Sequence, residues 1–256
     1  MMIKLFIGTS ETDDAWIESI YLYSLFKNTS EELDITFLRP SMFSDWKKNG
    51  WGTPFTNFRY AVPELCNFEG RAIYTDVDQL NFRDINDLWT TDLEGCAFGM
   101  VWDALTDNGL SWRATEYSRG WFCDSVLLID CKKAQQYIDP IEEIANSSRN
   151  YKWRWIEGIG APFKQKVDGI IKELDSRWNC FDGRNTSVRP KDLRKDLQPE
   201  IPLEDIWHLH FTTMSSQPWH PKYSPHAKGS YPREEIAEVL WDYAKKCKMI
   251  RNPSEF

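Results

Sequence analysis

Along the chain the spacing of apolar and polar positions changes period repeatedly, and each change marks an element. IKLFIG (3–8) is an unbroken apolar run of strand length, and the polar GTSETDD follows it, which predicts a buried strand and then a loop. AWIESIYLYSLFKN (15–28) repeats its apolar residues at helical spacing through Trp16, Ile20, Tyr23 and Phe26. It predicts a helix with Asp13 or Asp14 as N-cap. DITFLRP (34–40) reads as a second strand stopped by Pro40, and TPFTNFRYAVPELCN (53–67) as a helix ended or kinked at Pro63. RAIYTDVDQL (71–80) is a strand that halts at charge, and INDLW (85–89) a short helical turn. Two more strands are expected in GCAFGMVWD (95–103) and GWFCDSVLLIDC (120–131), joined by a long polar loop.

Helical spacing returns in KKAQQYIDPIEEIAN (132–146) and in FKQKVDGIIKELDSRWN (163–179), the latter running into a short strand. The charged, proline-punctuated stretch 187–205 reads as a surface connection, and IWHLHF (206–211) as a late strand. PREEIAEVLWDYAKKCKMIR (232–251) is an amphipathic closing helix. Glu234 and Glu235 lie in its first turn and Lys245 and Lys246 in its last, each matching the helix dipole. Strands and helices alternate in the first half of the chain and mix in the second. That order predicts an α/β fold: an open, mixed but mostly parallel sheet with helices on both faces.

Composition narrows the function less than the pattern narrows the fold. The 256 residues, 41% hydrophobic and 27% charged, suit one large domain with a substantial core. A net charge of −8 leaves no basic excess for nucleic acid or for an anionic membrane. The 13 Trp, 10 Tyr and 14 Phe supply flat faces that suit sugars or bases, although most such rings in any protein are core. The six cysteines contain no CxxC pair and fit neither a zinc ribbon nor a disulfide framework, so reduced thiols are expected. The apolar start is too short for a signal peptide and no stretch reaches membrane-span length. A cytoplasmic protein is the expectation. The closing helix, through its basic end with Trp241 and Tyr243, offers at most a peripheral membrane contact, and core packing through Ile236, Val239, Leu240 and Tyr243 accounts for it more simply.

The chemistry concentrates at Asp76 and Asp78. Side chains two apart on a strand point the same way, so the two carboxylates face one point. Their mutual repulsion and desolvation cost on the order of several kcal/mol unless a cation lies between them. An isolated D-x-D occurs by chance in many chains. Here an apolar strand leads into it, and a strand end in an α/β sheet is where ligands bind. His208 and His210, half of the four histidines, sit two apart in the late strand. A strand histidine is usually a satisfied core residue, but the polar TTMSSQPWHP that follows suits a ligand-wrapping loop, and neutral imidazole is a good ligand for Mn²⁺.

RYAVPEL followed by RAIYTDVDQLNFRDINDLW resembles the central signature of glycosyltransferase family 8. GWFCDSVLLIDCKKA, LDSRWN and HFTTMSSQPWH resemble that family's later blocks in the same order, over roughly residues 3 to 220. The resemblance implies a GT-A fold with a Rossmann-like nucleotide-binding half in residues 1–220, and a C-terminal tail and packed helix in 221–256. It implies Mn²⁺ or Mg²⁺ on Asp76, Asp78 and His210, with His210 a better match than His208. It further implies a nucleotide-sugar donor, most simply a UDP-sugar, met by Gly8, Thr9, Ser10, Arg59, Val77, Gln217 and Trp219. A hexose would pass to a saccharide, glycan or glycolipid hydroxyl with retention, and Asp124 and Glu157 are the acids placed to touch donor sugar or acceptor.

The chain departs from the family where Cys123 and Ser125 replace an asparagine and a glycine, and where Gln217 replaces a phosphate-contacting lysine. Two other readings stay open on the residues alone. One is a catalytically silent nucleotide- or sugar-binding protein on the same scaffold. The other is a sugar-phosphate nucleotidyltransferase, although that class uses a basic glycine-rich loop where GTSETDD is acidic.

Overall fold

β1 (Met2–Gly8), the apolar run at the start, lies between β2 (Glu32–Leu38) and β3 (Arg71–Asp76) and is parallel to both. Three further strands, β5 (Phe98–Leu105), β6 (Arg119–Asp130) and β7 (Ile171–Leu174), complete a sheet of order β2-β1-β3-β6-β5-β7. β6 runs against both of its neighbours, and the other pairings are parallel. A smaller sheet, β4-β9-β8, joins Gln79–Asn81 (β4), Cys180–Phe181 (β8) and His208–His210 (β9). The structure, a computed structural model, describes residues 2–10, 15–44, 46, 53, 55–105, 119–146, 169–182, 201–212, 217–219 and 233–248.

The apolar runs form strands because both faces of the large sheet are covered. Ile3, Leu5 and Ile7 are fully buried and Phe6, facing the other way, nearly so, the signature of a central strand with no solvent face. α1 (Ala15–Asn28) forms where helical spacing predicts it and buries Trp16, Ile17, Ile20, Tyr21 and Leu25. α2 (Val62–Leu65) is entered through a 3-10 turn at Phe58–Ala61, with Pro63 in its first turn. There proline loses no hydrogen bond, so it starts the α-helix where an ending or a kink is expected. α3 (Ile85–Trp89) is capped by the Asp84 carboxylate, which accepts from Asn86 N–H.

The expected helix over 132–146 is two, α4 (Cys131–Ala134) and α5 (Ile141–Asn146), divided ahead of Pro140. Of the helix running into a short strand expected over 163–179, the described part holds the strand and no α-helix. Ile171–Leu174 is β7, parallel to β5, and Ser176–Asn179 is a 3-10 turn. Ile170, Ile171 and Leu174 fit helical spacing, but pairing with Phe98–Val101 outweighs that weak local preference. Residues 163–168, the N-cap candidates Asp13 and Asp14, and most of the polar loops lie outside the described residues.

α6 (Glu234–Lys246) buries Ile236, Leu240, Tyr243 and Ala244. Trp241 packs on Trp16 at 5.3 Å between rings, and Lys27 donates to the Tyr243 hydroxyl at 3.0 Å. Among the described residues no helix is long and apolar enough to cross a membrane.

Candidate metal centre

β3 delivers Asp76 as its last residue, beside Gly8 at the end of β1. Val77 N–H donates to Gly8 O at 3.1 Å, and two residues later the chain re-enters a strand as β4, pairing with β9 so that Gln79 lies opposite His210. Asp78 therefore sits in the bend between two strands. Its main chain is fixed there, because Asp78 O accepts from Phe211 N–H at 2.9 Å. The small sheet thus carries an imidazole from the far end of the chain to the mouth of β3.

Asp76, Asp78 and His210 each present a ligand atom within 4.8 Å of the others. His210 Nε2 is 3.3 Å from Asp78 Oδ1 and 4.0 Å from Asp76 Oδ2. Neighbouring ligands of an ion held at about 2.1 Å lie about 3 Å apart, so small side-chain movements close the set. The donors fit a divalent ion in two further ways. Asp78 Oδ1 is buried without a hydrogen-bond partner. Asp76 and Asp124 share one guanidinium, Arg59, and with Asp78 beside them the carboxylates outnumber it in a low-dielectric site. An imidazole beside two carboxylates suits Mn²⁺ better than Ca²⁺, which prefers oxygen throughout.

Burial raises the Asp76 pKa, and Arg59 and His210 offset only part of that rise. For His210 burial pulls downward, but Asp78 and then Asp76 outweigh it and the net shift is up. His208 goes the other way. Burial lowers it to about 3, leaving a neutral ring between Gln79 Oε1 at 2.7 Å and Asn81 Oδ1 at 3.2 Å. His208 is a core histidine, and the metal set takes only its neighbour.

Arg59, 3% exposed, donates through Nη1 to Asp124 Oδ1 at 2.7 Å and through Nη2 to Asp76 Oδ1 at 2.8 Å. Burial opposes its charge, but Asp124 and Asp76 hold the guanidinium well above its ordinary pKa. Asp124, also 3% exposed, takes a second bond from the Tyr60 hydroxyl at 2.5 Å. Thr9 is fully buried and its hydroxyl donates to Glu18 at 2.6 Å, with Arg39 on the other Glu18 oxygen. Ser10 is buried beside it, and Val77 is core. Gln217 reaches Asp78 Oδ2 at 3.1 Å, and Trp219 packs edge-on against Phe211 at 5.0 Å. Glu157 lies outside the described residues.

Three contributors escape the sequence reading. Tyr74 donates to Asp76 Oδ1 at 2.6 Å, and its position two residues before Asp76 in a strand was the available signal. Glu18 stood out as an acid among the buried positions of α1. Asp182, buried and backed against His210 O by its N–H at 2.8 Å, has positive φ and carried no sequence signal.

Residues 15–222 match the family model for Glycosyl transferase family 8. The chain belongs to glycosyltransferase family 8. No curated protein matches the sequence. Among solved structures, this family 8 glycosyltransferase is similar to galactosyltransferase LgtC, solved with donor and acceptor sugar analogues, over 98% of each chain (TM-score 0.59, 16% identity). It is similar to GlyE of Streptococcus pneumoniae TIGR4 over 99% of its own length and 62% of that chain (TM-score 0.60, 19% identity). It also resembles the bifunctional WbbM over 93% of its length and 51% of that chain (TM-score 0.52, 11% identity). Identities this low carry the shared fold, the mixed and mostly parallel sheet of GT-A enzymes, and nothing about the sugar.

Proposed function

We propose that this family 8 glycosyltransferase moves a hexose from a nucleoside-diphosphate sugar, a UDP-sugar, to a hydroxyl of a saccharide, glycan or glycolipid in the cytoplasm, with retention at the anomeric carbon. The observation that carries the reading is the meeting of Asp76, Asp78 and His210 from two distant segments. A divalent ion held there, Mn²⁺ in the first instance and Mg²⁺ in the second, would act as a Lewis acid toward the departing diphosphate.

The chain's own groups have separable parts in that reading. Asp76 and Asp78 turn carboxylate oxygens toward one point, and His210 offers Nε2 to the same point. Arg59 favours the ionised form of Asp76 against its burial and steadies the charge near the diphosphate. Asp124 holds Arg59 in place, so its effect on the sugar passes through the guanidinium. The main chain at Gly8, Thr9 and Ser10 borders the nucleotide, while Thr9 and Glu18 stiffen that border from below. Val77 supports the bend by its backbone, Trp219 closes the phosphate side, and Glu157 is the acid assigned to the donor sugar or acceptor.

The test is a panel of UDP- and GDP-sugars scored for nucleotide release with Mn²⁺ and with chelator. Release from a UDP-sugar that chelator abolishes is the expected result. Absence of release from every donor, with UDP still bound, would point to the silent binding module instead. Pyrophosphate release from a nucleoside triphosphate and a sugar phosphate would point to a nucleotidyltransferase.

A further inference from the structure

Each aspartate of the pair has one oxygen tied by an outside donor and the other nearer His210. On Asp76, Tyr74 and Arg59 both donate to Oδ1, at 2.6 and 2.8 Å, with a longer 3.1 Å contact from Arg59 to Oδ2. Oδ2 is the oxygen 4.0 Å from His210 Nε2. On Asp78, Gln217 Nε2 donates to Oδ2 at 3.1 Å, and Oδ1 is left unpartnered 3.3 Å from the imidazole. Gln217 is itself braced, since the same nitrogen donates to Phe211 O at 2.8 Å. Phe211 N–H in turn donates to Asp78 O. Side chain and main chain of Asp78 are thus tied to one short stretch directly after His210.

We propose that Gln217 is a positioning residue that turns Asp78 Oδ1 toward the ion, and that it makes no contact with phosphate. An amide nitrogen has two hydrogens, and both are used, on Asp78 and on Phe211. What remains is the amide oxygen, an acceptor, and phosphate oxygens are acceptors too. The family's lysine at this position would bring an ammonium against Asp78 and compete with the cation. A neutral amide fixes the orientation of Asp78 and leaves its charge for the metal. This inference rests on the metal site proposed above.

Mn²⁺ is titrated calorimetrically into the full chain without nucleotide, for the parent, Gln217→Met and Gln217→Lys, with metal-free thermal unfolding measured beside it. Gln217→Met keeps the length and loses the donors. Its Mn²⁺ affinity should fall about 10- to 100-fold, and Gln217→Lys should fall at least as far. Affinity within twofold of the parent in Gln217→Met, whatever its metal-free melting does, overturns the inference, because a merely structural glutamine moves melting alone. Should Gln217→Met fail to fold, Gln217→Asn, too short to reach both acceptors, is judged by the same criterion. A parent that takes up no Mn²⁺ removes the metal site itself, and this inference with it.

Discussion

Gly8 has no room for a side chain. A Cβ there would lie 2.1 Å from the Tyr74 hydroxyl and 3.1 Å from Phe55 Cδ2, and the Tyr74 ring is fully buried with nowhere to swing. The glycine that the family resemblance gives to the nucleotide border also serves Asp76, by leaving space for the phenol that bonds it. Gly8→Ala should therefore cost about 1–3 kcal/mol through overpacking. Tyr74→Phe removes the clashing oxygen, so in a urea-denaturation cycle the Gly8→Ala, Tyr74→Phe double variant should be more stable than the sum of the singles. Additive losses would mean the two residues do not meet. Arg59 makes a second residue-scale prediction. Arg59→Met leaves Asp76 and Asp124 buried without their shared counter-ion, and a loss of about 3–5 kcal/mol is expected. A loss under about 1 kcal/mol by the same measurement would show the cluster is wetter than its burial implies.

At the scale of elements, α3 depends on Asp84, which accepts from Asn86 N–H at 2.9 Å and from Ser30 N–H at 3.3 Å. Burial pushes its pKa up, the donors at Ser30 and Asn86 outweigh it, and the net shift is down. A depressed folded pKa means the stabilisation is present above the unfolded value, near pH ~3.9, and is lost as pH falls through the folded value. Asp84→Ala should thus cost about 1 kcal/mol at pH 7, with the gap to the parent closing below about pH 4. Urea midpoints at both pH values check it, and a gap that persists in acid would mean the carboxylate is not the cap. Elements also show where the sequence was legible. β1, α1, β3 and α3 were readable because one period dominates each of them. β7 was legible only as a short strand closing an expected helix, since the preference of Ile170–Leu174 is settled by partners some 70 residues earlier. Asp76, Asp78 and His210 were readable as ligand types. The outer donors were not: the glutamine meets its carboxylate across 139 residues, and no local pattern encodes that contact.

For the whole molecule, the metal site proposed above predicts that the folded state binds a cation that the unfolded chain does not. Mn²⁺ at a hundredfold excess over its dissociation constant should add about 2.7 kcal/mol to unfolding. Asp78→Ala should abolish that increment and nucleotide release together while the metal-free protein still melts cooperatively. A Mn²⁺-dependent rise in melting temperature that survives Asp78→Ala would place the ion elsewhere. The small sheet has one more consequence. Its strands come from residues 79–81, 180–181 and 208–210, so a nascent chain on the ribosome owns the acidic pair long before it owns the imidazole. Until residue 210 emerges, β4 lacks β9, its partner strand in that sheet, and the metal site proposed above would stay open until then.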